Sequence, residues 1–79
     1  MLTLRPNCEQ CNVDLSPDSL QARICSFECT FCQSCTDDLL HGRCPNCGGE
    51  LLRRPIRPAG ALARHPASTD HVFKPLARA

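Results

Sequence analysis

Eight cysteines between Cys8 and Cys47 constrain this 79-residue chain more than any other feature. They fall into four close pairs: Cys8/Cys11, Cys25/Cys29, Cys32/Cys35 and Cys44/Cys47. Three pairs enclose two residues and Cys25/Cys29 encloses three. A chain this short buries too little apolar surface to be stable without staples. Its candidate core is thin: Leu2, Leu4, Val13, Leu15, Leu20, Ile24, Phe27, Phe31, Leu39, Leu40, Leu51 and Leu52, with no Trp or Tyr. Eight cysteines in such a chain mean disulfides or metal, and the compartment decides between them. The start, Met1 to Asn7, has no apolar run of signal-peptide length, and no stretch approaches a membrane span. The expected setting is a reducing cytoplasm, where close thiol pairs bind metal.

Structural zinc takes four ligands in a tetrahedron, and four thiolates suit it. Eight cysteines therefore make two sites, and the expected cofactor is two Zn2+. A structural zinc contributes roughly 10–16 kcal/mol of apparent folding energy in small peptides. Two such sites would dominate the stability of this core, so the metal-free chain is expected to be largely unfolded. Three other chemistries compete with zinc. Disulfides conflict with the setting. An iron–sulfur cluster is suggested by Cys29-x2-Cys32-x2-Cys35, but the ferredoxin run has about three residues before its last cysteine, and here there are eight. A redox dithiol would need a thioredoxin-like scaffold, and the chain shows no βαβ pattern. Spacing alone leaves the pairing of the four pairs open among sequential, nested and interleaved arrangements.

Along the chain, Cys8-Glu9-Gln10-Cys11 and Cys44-Pro45-Asn46-Cys47 read as two similar zinc knuckles. Ser16-Pro17-Asp18-Ser19 is a turn cluster. A β-hairpin is expected over about residues 22–31. About two helical turns are expected after Cys35, with Thr36 as N-cap, Asp37 and Asp38 at the positive end of the dipole, and Gly42 as the stop. Glu50-Leu51-Leu52 reads as a last short strand. The zinc-binding domain is thus placed at residues 1–52, and the Pro/Arg/Ala-rich residues 53–79 read as a disordered C-terminal tail.

Charge is unevenly divided between the two parts. Residues 1–52 set three arginines against seven carboxylates, leaving −4, whereas residues 53–79 set six cations against Asp70, leaving +5. Two zinc ions on eight thiolates would bring the core near −8, which counts against nucleic-acid binding by the core. The tail is either a solubilising end or an electrostatic arm for an acidic partner or nucleic acid.

The order of pairs resembles a RING finger with all-cysteine ligands. After the first pair come thirteen residues, Cys25-x3-Cys29-x2-Cys32-x2-Cys35, eight residues, and Cys44-x2-Cys47. Where many RING fingers read His-x-Phe-Cys, this chain reads Cys29-Thr30-Phe31-Cys32; a helix is expected after the sixth ligand, and Cys44-Pro45-Asn46-Cys47 closes the run. The resemblance covers about residues 8–52. It implies a small α+β, treble-clef-like cross-brace, with Cys8, Cys11, Cys32 and Cys35 on one zinc and Cys25, Cys29, Cys44 and Cys47 on the other. The whole chain also resembles a family of short bacterial proteins of unknown function, through the Leu4-Arg5-Pro6-Asn7-Cys8 start, Ile24 to Cys32, and His41 to Gly49.

Departures from the RING pattern argue against a ubiquitin ligase. Glu9 and Gln10 stand where those ligases present a bulky apolar residue, Gly48 stands where many carry Arg or Lys, and the frequent Trp before the seventh ligand is missing. His41, His65 and His71 are read as a helix-end partner and two solvated side chains, and Phe27 as core or as an exposed contact. No Ser/His/Asp set, paired-carboxylate site or phosphate loop is present. The expected function is a non-enzymatic interaction module whose partner is another protein, with no membrane. Nucleic-acid binding through the tail is the alternative, and a thiol-redox or zinc-sensing role is third.

Overall fold

The computed structural model describes residues 2–73. Strand β1 (Ala22–Ile24) and strand β2 (Thr30–Cys32) form an antiparallel hairpin, with Ala22 opposite Cys32 and Ile24 opposite Thr30. Strand β3 (Leu52–Arg53) pairs antiparallel with the other side of β1, giving the order β2-β1-β3. Ala, Ile, Thr and Phe at the paired positions bury one side chain after another: Ala22, Ile24, Thr30 and Phe31 are all buried. Burying a side chain the size of Phe31 is worth about 1.5–3 kcal/mol.

The core cluster contains Leu15, Ala22, Phe31, Leu40 and Leu51 together with Cys8, Cys25, Cys29, Cys32 and Cys44. Half of its members are therefore cysteines, so the thiols are part of the packing. The expected apolar core is only partly realised. Leu4, Leu15, Ile24, Phe31, Leu40 and Leu51 are buried, whereas Val13, Leu20, Phe27 and Leu52 are exposed. Phe27 lies in the loop between β1 and β2 and is 72% exposed.

Helix α1 (Gln33–Asp38) begins directly after β2, earlier than the sequence suggests. Its N-cap is Cys32, whose sulfur accepts from the N–H of Cys35. Thr36 is therefore not the cap but a buried residue within the helix, and its hydroxyl has no hydrogen-bond partner among the described residues. Asp37 and Asp38 fall in the last turn rather than the first. A cap sulfur fixed by the cysteine cluster has overridden the local preference of Thr for that role. Beyond Leu39 the chain reverses through His41 and Gly42, both at positive φ, and the Gly42 N–H reaches back to the Thr36 carbonyl. The helix itself ends at Asp38 with Leu39 as C-cap, three residues ahead of the expected stop at Gly42.

Residues 53–73 carry a strand residue, a short helix and several long-range hydrogen bonds. Arg53 belongs to β3, and the Arg54 N–H donates to the Ala22 carbonyl, which continues the pairing. Helix α2 (Ala59–Arg64) follows Pro58. Ala, Leu and Arg favour a helix, and Pro58 presets the backbone just ahead of it. Arg57 donates to the carbonyls of Leu2 and His65. Ser68 and Val72 then hydrogen-bond to Leu4 and Asn7. These contacts run through main-chain groups and arginine donors, which composition does not count. Residues 74–79, with Lys74 and Arg78 of the basic tail, lie outside the described residues.

Candidate metal centres

The two knuckles share one backbone plan. In the first, the Asn12 N–H donates to the Cys8 carbonyl and the Cys8 N–H to the Val13 carbonyl. In the second, the Gly48 N–H donates to the Cys44 carbonyl and the Cys44 N–H to the Gly49 carbonyl. Asn12 (φ 66°) and Gly48 (φ 76°) hold equivalent left-handed positions just after each closing cysteine. Asn and Gly are the residues that adopt this conformation most readily. Single bridges, Asn7 with Asp14 and Arg43 with Glu50, close the two turns. The wider Cys25/Cys29 pair uses a related device, in which Glu28 (φ 69°) absorbs the extra residue and its N–H donates to the Cys25 carbonyl.

These turns aim sulfurs inward and N–H groups at the sulfurs. Cys8 Sγ accepts from the N–H groups of Gln10 (3.4 Å) and Cys11 (3.5 Å). Cys25 Sγ accepts from Phe27 (3.3 Å), Cys32 Sγ from Cys35 (3.4 Å) and Cys44 Sγ from Asn46 (3.4 Å). Donors on sulfur stabilise thiolate over thiol. Burial pushes the Cys8 thiol up, but the backbone N–H groups of Cys11, Cys32 and Gln10 outweigh it and hold Cys8 below the ordinary thiol value. Burial likewise opposes ionisation of Cys25, and the N–H groups of Phe27 and Cys29 reverse the balance. At four other thiols burial dominates: it raises Cys11, Cys29 and Cys35, and pushes Cys44 up to about 12. Each cluster thus contains a thiol that favours ionisation, Cys8 in one and Cys25 in the other.

The sulfurs gather in an interleaved order. Those of Cys8, Cys11, Cys32 and Cys35 all lie within 4.8 Å of one another. Those of Cys25, Cys44 and Cys47 form a second such group. Cys29, the remaining cysteine, is outside the tight second set but interacts through its thiol with Cys25 and Cys44. β1 and β2 explain the interleaving. The hairpin sends Cys25, just after β1, to one end, and Cys32, at the end of β2, to the other. Cys11 and Cys47 are the exposed members of their clusters. Among the described residues both groups consist of cysteine alone, and His41, His65 and His71 are exposed and lie in neither.

Two polar residues near the clusters were not foreseen. Glu9 is 1% exposed and lies between the two knuckles. Its carboxylate accepts from Arg5 (2.9 Å) and the Thr30 N–H (3.1 Å) through Oε2, and from Asn46 Nδ2 (3.1 Å) through Oε1. Asn46 also contacts the Cys29 thiol, so Glu9 links the first knuckle to the second. Arg54 is 1% exposed and donates to the carbonyls of Arg5 (2.8 Å) and Ser16 (2.9 Å). Burial lowers its pKa below the ordinary guanidinium value. Neither role has a clear signal in the sequence, since both residues belong to types that are normally solvated.

Fold and site together define a small α+β protein built around two cysteine clusters that could hold metal ions. The chain belongs to the family described as a protein of unknown function (DUF1272), whose model matches residues 1–57 and so includes all eight cysteines. It is 64% identical over 75 residues to the uncharacterized protein R02474 of Rhizobium meliloti (strain 1021), covering 95% of this chain and 89% of the relative. No solved structure matches it. No helix among the described residues is long and apolar enough to cross a membrane.

Proposed function

We propose that this is a non-enzymatic, cytoplasmic zinc protein with a RING-like, treble-clef cross-brace that serves as a protein-interaction module. Cys8, Cys11, Cys32 and Cys35 hold one zinc; Cys25, Cys44 and Cys47, completed by Cys29, hold the other. The observation that carries this reading is the interleaved gathering of the sulfurs into two all-cysteine groups. Soft thiolates in a tetrahedral set of four suit zinc, and a full set leaves no open coordination position for chemistry. What remains to act is the rigid surface that the metals support.

The nucleic-acid reading is weakened by the basic residues themselves. Arg54 is buried, and Arg57 spends its guanidinium on main-chain carbonyls. Fewer tail cations are therefore free for phosphate than composition suggests. Elemental analysis of protein purified without chelator tests the metal assignment. Two zinc ions per chain and no iron are expected. Iron, or a single zinc, would overturn it.

A further inference from the structure

We infer that the face formed by Leu4 to Asn7 and Asp14 to Pro17 is a groove for an extended peptide, occupied in this chain by its own residues 66–73. This rests on the reading of the chain as an interaction module and names where its partner docks. The partner is an extended segment of another protein, read mainly through its backbone.

The central observation is Asn7. Its side chain is fully buried, and its amide donates to the Cys8 carbonyl in the first knuckle (3.2 Å) as well as meeting the strap. Nδ2 donates to the Val72 carbonyl (3.0 Å), and Oδ1 accepts from the Val72 N–H (3.3 Å). One side-chain amide thus engages both main-chain groups of a single residue, as a neighbouring strand would. Nδ2 also donates to Asn12 Oδ1 (2.8 Å), which fixes the amide in this orientation. Four residues earlier in the strap, the Ser68 N–H donates to the Leu4 carbonyl (3.0 Å). Both contacts recognise peptide backbone, so any extended segment with a compatible side chain at the Val72 position satisfies them.

The strap is held in a way that allows exchange. Thr69, Asp70, His71 and Phe73 are exposed, and only Ala67, Ser68 and Val72 are half-buried. Little apolar area holds it in place, and its grip is chiefly main-chain hydrogen bonding, each bond of modest net worth. It also leaves room: an open groove of about 430 Å³ runs beside it, lined by Pro6, Leu15, Pro17, Ala67 and His71 among others. The receptor residues fall inside the stretch that the family model matches, residues 1–57, whereas the strap falls outside it. A competing segment needs only to supply the same backbone groups and fill more of the groove.

The test uses the full chain with Ser68→Pro and Val72→Pro together, which removes both strap N–H donors. The probe is a labelled peptide, Pro-Ala-Ser-Thr-Asp-His-Val-Phe, followed by fluorescence anisotropy. The double variant should bind it at least tenfold more tightly than the unaltered chain, whose tethered strap competes at roughly millimolar effective concentration. N-methylation of the peptide valine, which removes the N–H that Asn7 accepts, should weaken binding roughly tenfold. The same pair of peptides, used at millimolar concentration on the unaltered chain, gives the comparison without any substitution. Absence of binding in both proteins, or indifference to the N-methyl group, overturns the inference. A strap-exchanged dimer of the unaltered chain on gel filtration overturns it too, because the occupant would then be a second copy. Metal analysis separates this inference from the proposed function. A zinc-loaded double variant that ignores both peptides overturns the groove alone. Peptide binding by a chain without zinc supports the groove and overturns the zinc centres.

Discussion

At position 9 a buried carboxylate is held by three separate parts of the chain that converge on it. Arg5, the Thr30 N–H and Asn46 all donate to Glu9, and its own N–H donates to the Thr30 carbonyl. Because Glu9 is buried, its loss strands the buried Thr30 N–H, while Arg5 and the exposed Asn46 can turn to solvent. Glu9→Ala should cost about 1–3 kcal/mol, read as a lowered urea midpoint at fixed free zinc. Glu9→Gln should cost less, because one amide oxygen still accepts from Thr30. Equal stability of the alanine variant and the unaltered chain would show that Glu9 carries none of this load. The sequence carries no sign of this burial, for a physical reason. A charged side chain beside a knuckle is ordinarily solvated, and the three donors that bury it come from residues 5, 30 and 46.

Among the elements, the knuckles were the most legible and α1 the least. Cys-x-x-Cys followed by Asn12 or Gly48 sets a turn through local chemistry alone, and the structure repeats one hydrogen-bond plan at both sites. Gly48→Ala should therefore cost about 1–2 kcal/mol, because an L side chain at φ 76° is strained although nothing lies within 4 Å of the added Cβ. Gly48→Asn should recover much of the loss, since Asn12 already tolerates the equivalent position. Thermal melts of the two variants at constant zinc would check the order; an alanine variant as stable as the parent would contradict it. The start of α1 was missed because Thr36 is a good local cap, while the cap actually used, Cys32, is positioned by sulfurs distant in sequence. Short local windows cannot register that competition.

For the whole molecule, the eight cysteines announced two clusters, but composition hid the path of residues 53–73. Half of the core cluster is cysteine, so the apolar remainder is small. Chelation of zinc under reducing conditions should therefore abolish the far-UV circular dichroism of the folded chain, and added zinc should restore it. A signal that persists unchanged after complete metal removal would mean that the apolar core suffices. The legible part of the fold was set by residues close in sequence. The hidden part rests on Arg54 and Asn7, whose partners lie tens of residues away.

The interleaving of the clusters also orders events during synthesis. The first group needs Cys35 before it can gather, by which time Cys25 and Cys29 have already emerged, while the second must wait for Cys47. For that interval Cys25 and Cys29 have no Cys44 or Cys47 to gather with, and can compete for any metal the first group binds or pair with its sulfurs. A nascent chain of this kind therefore carries a register hazard built into its topology. The stretch from Cys35 to Cys47 sets how long that hazard lasts.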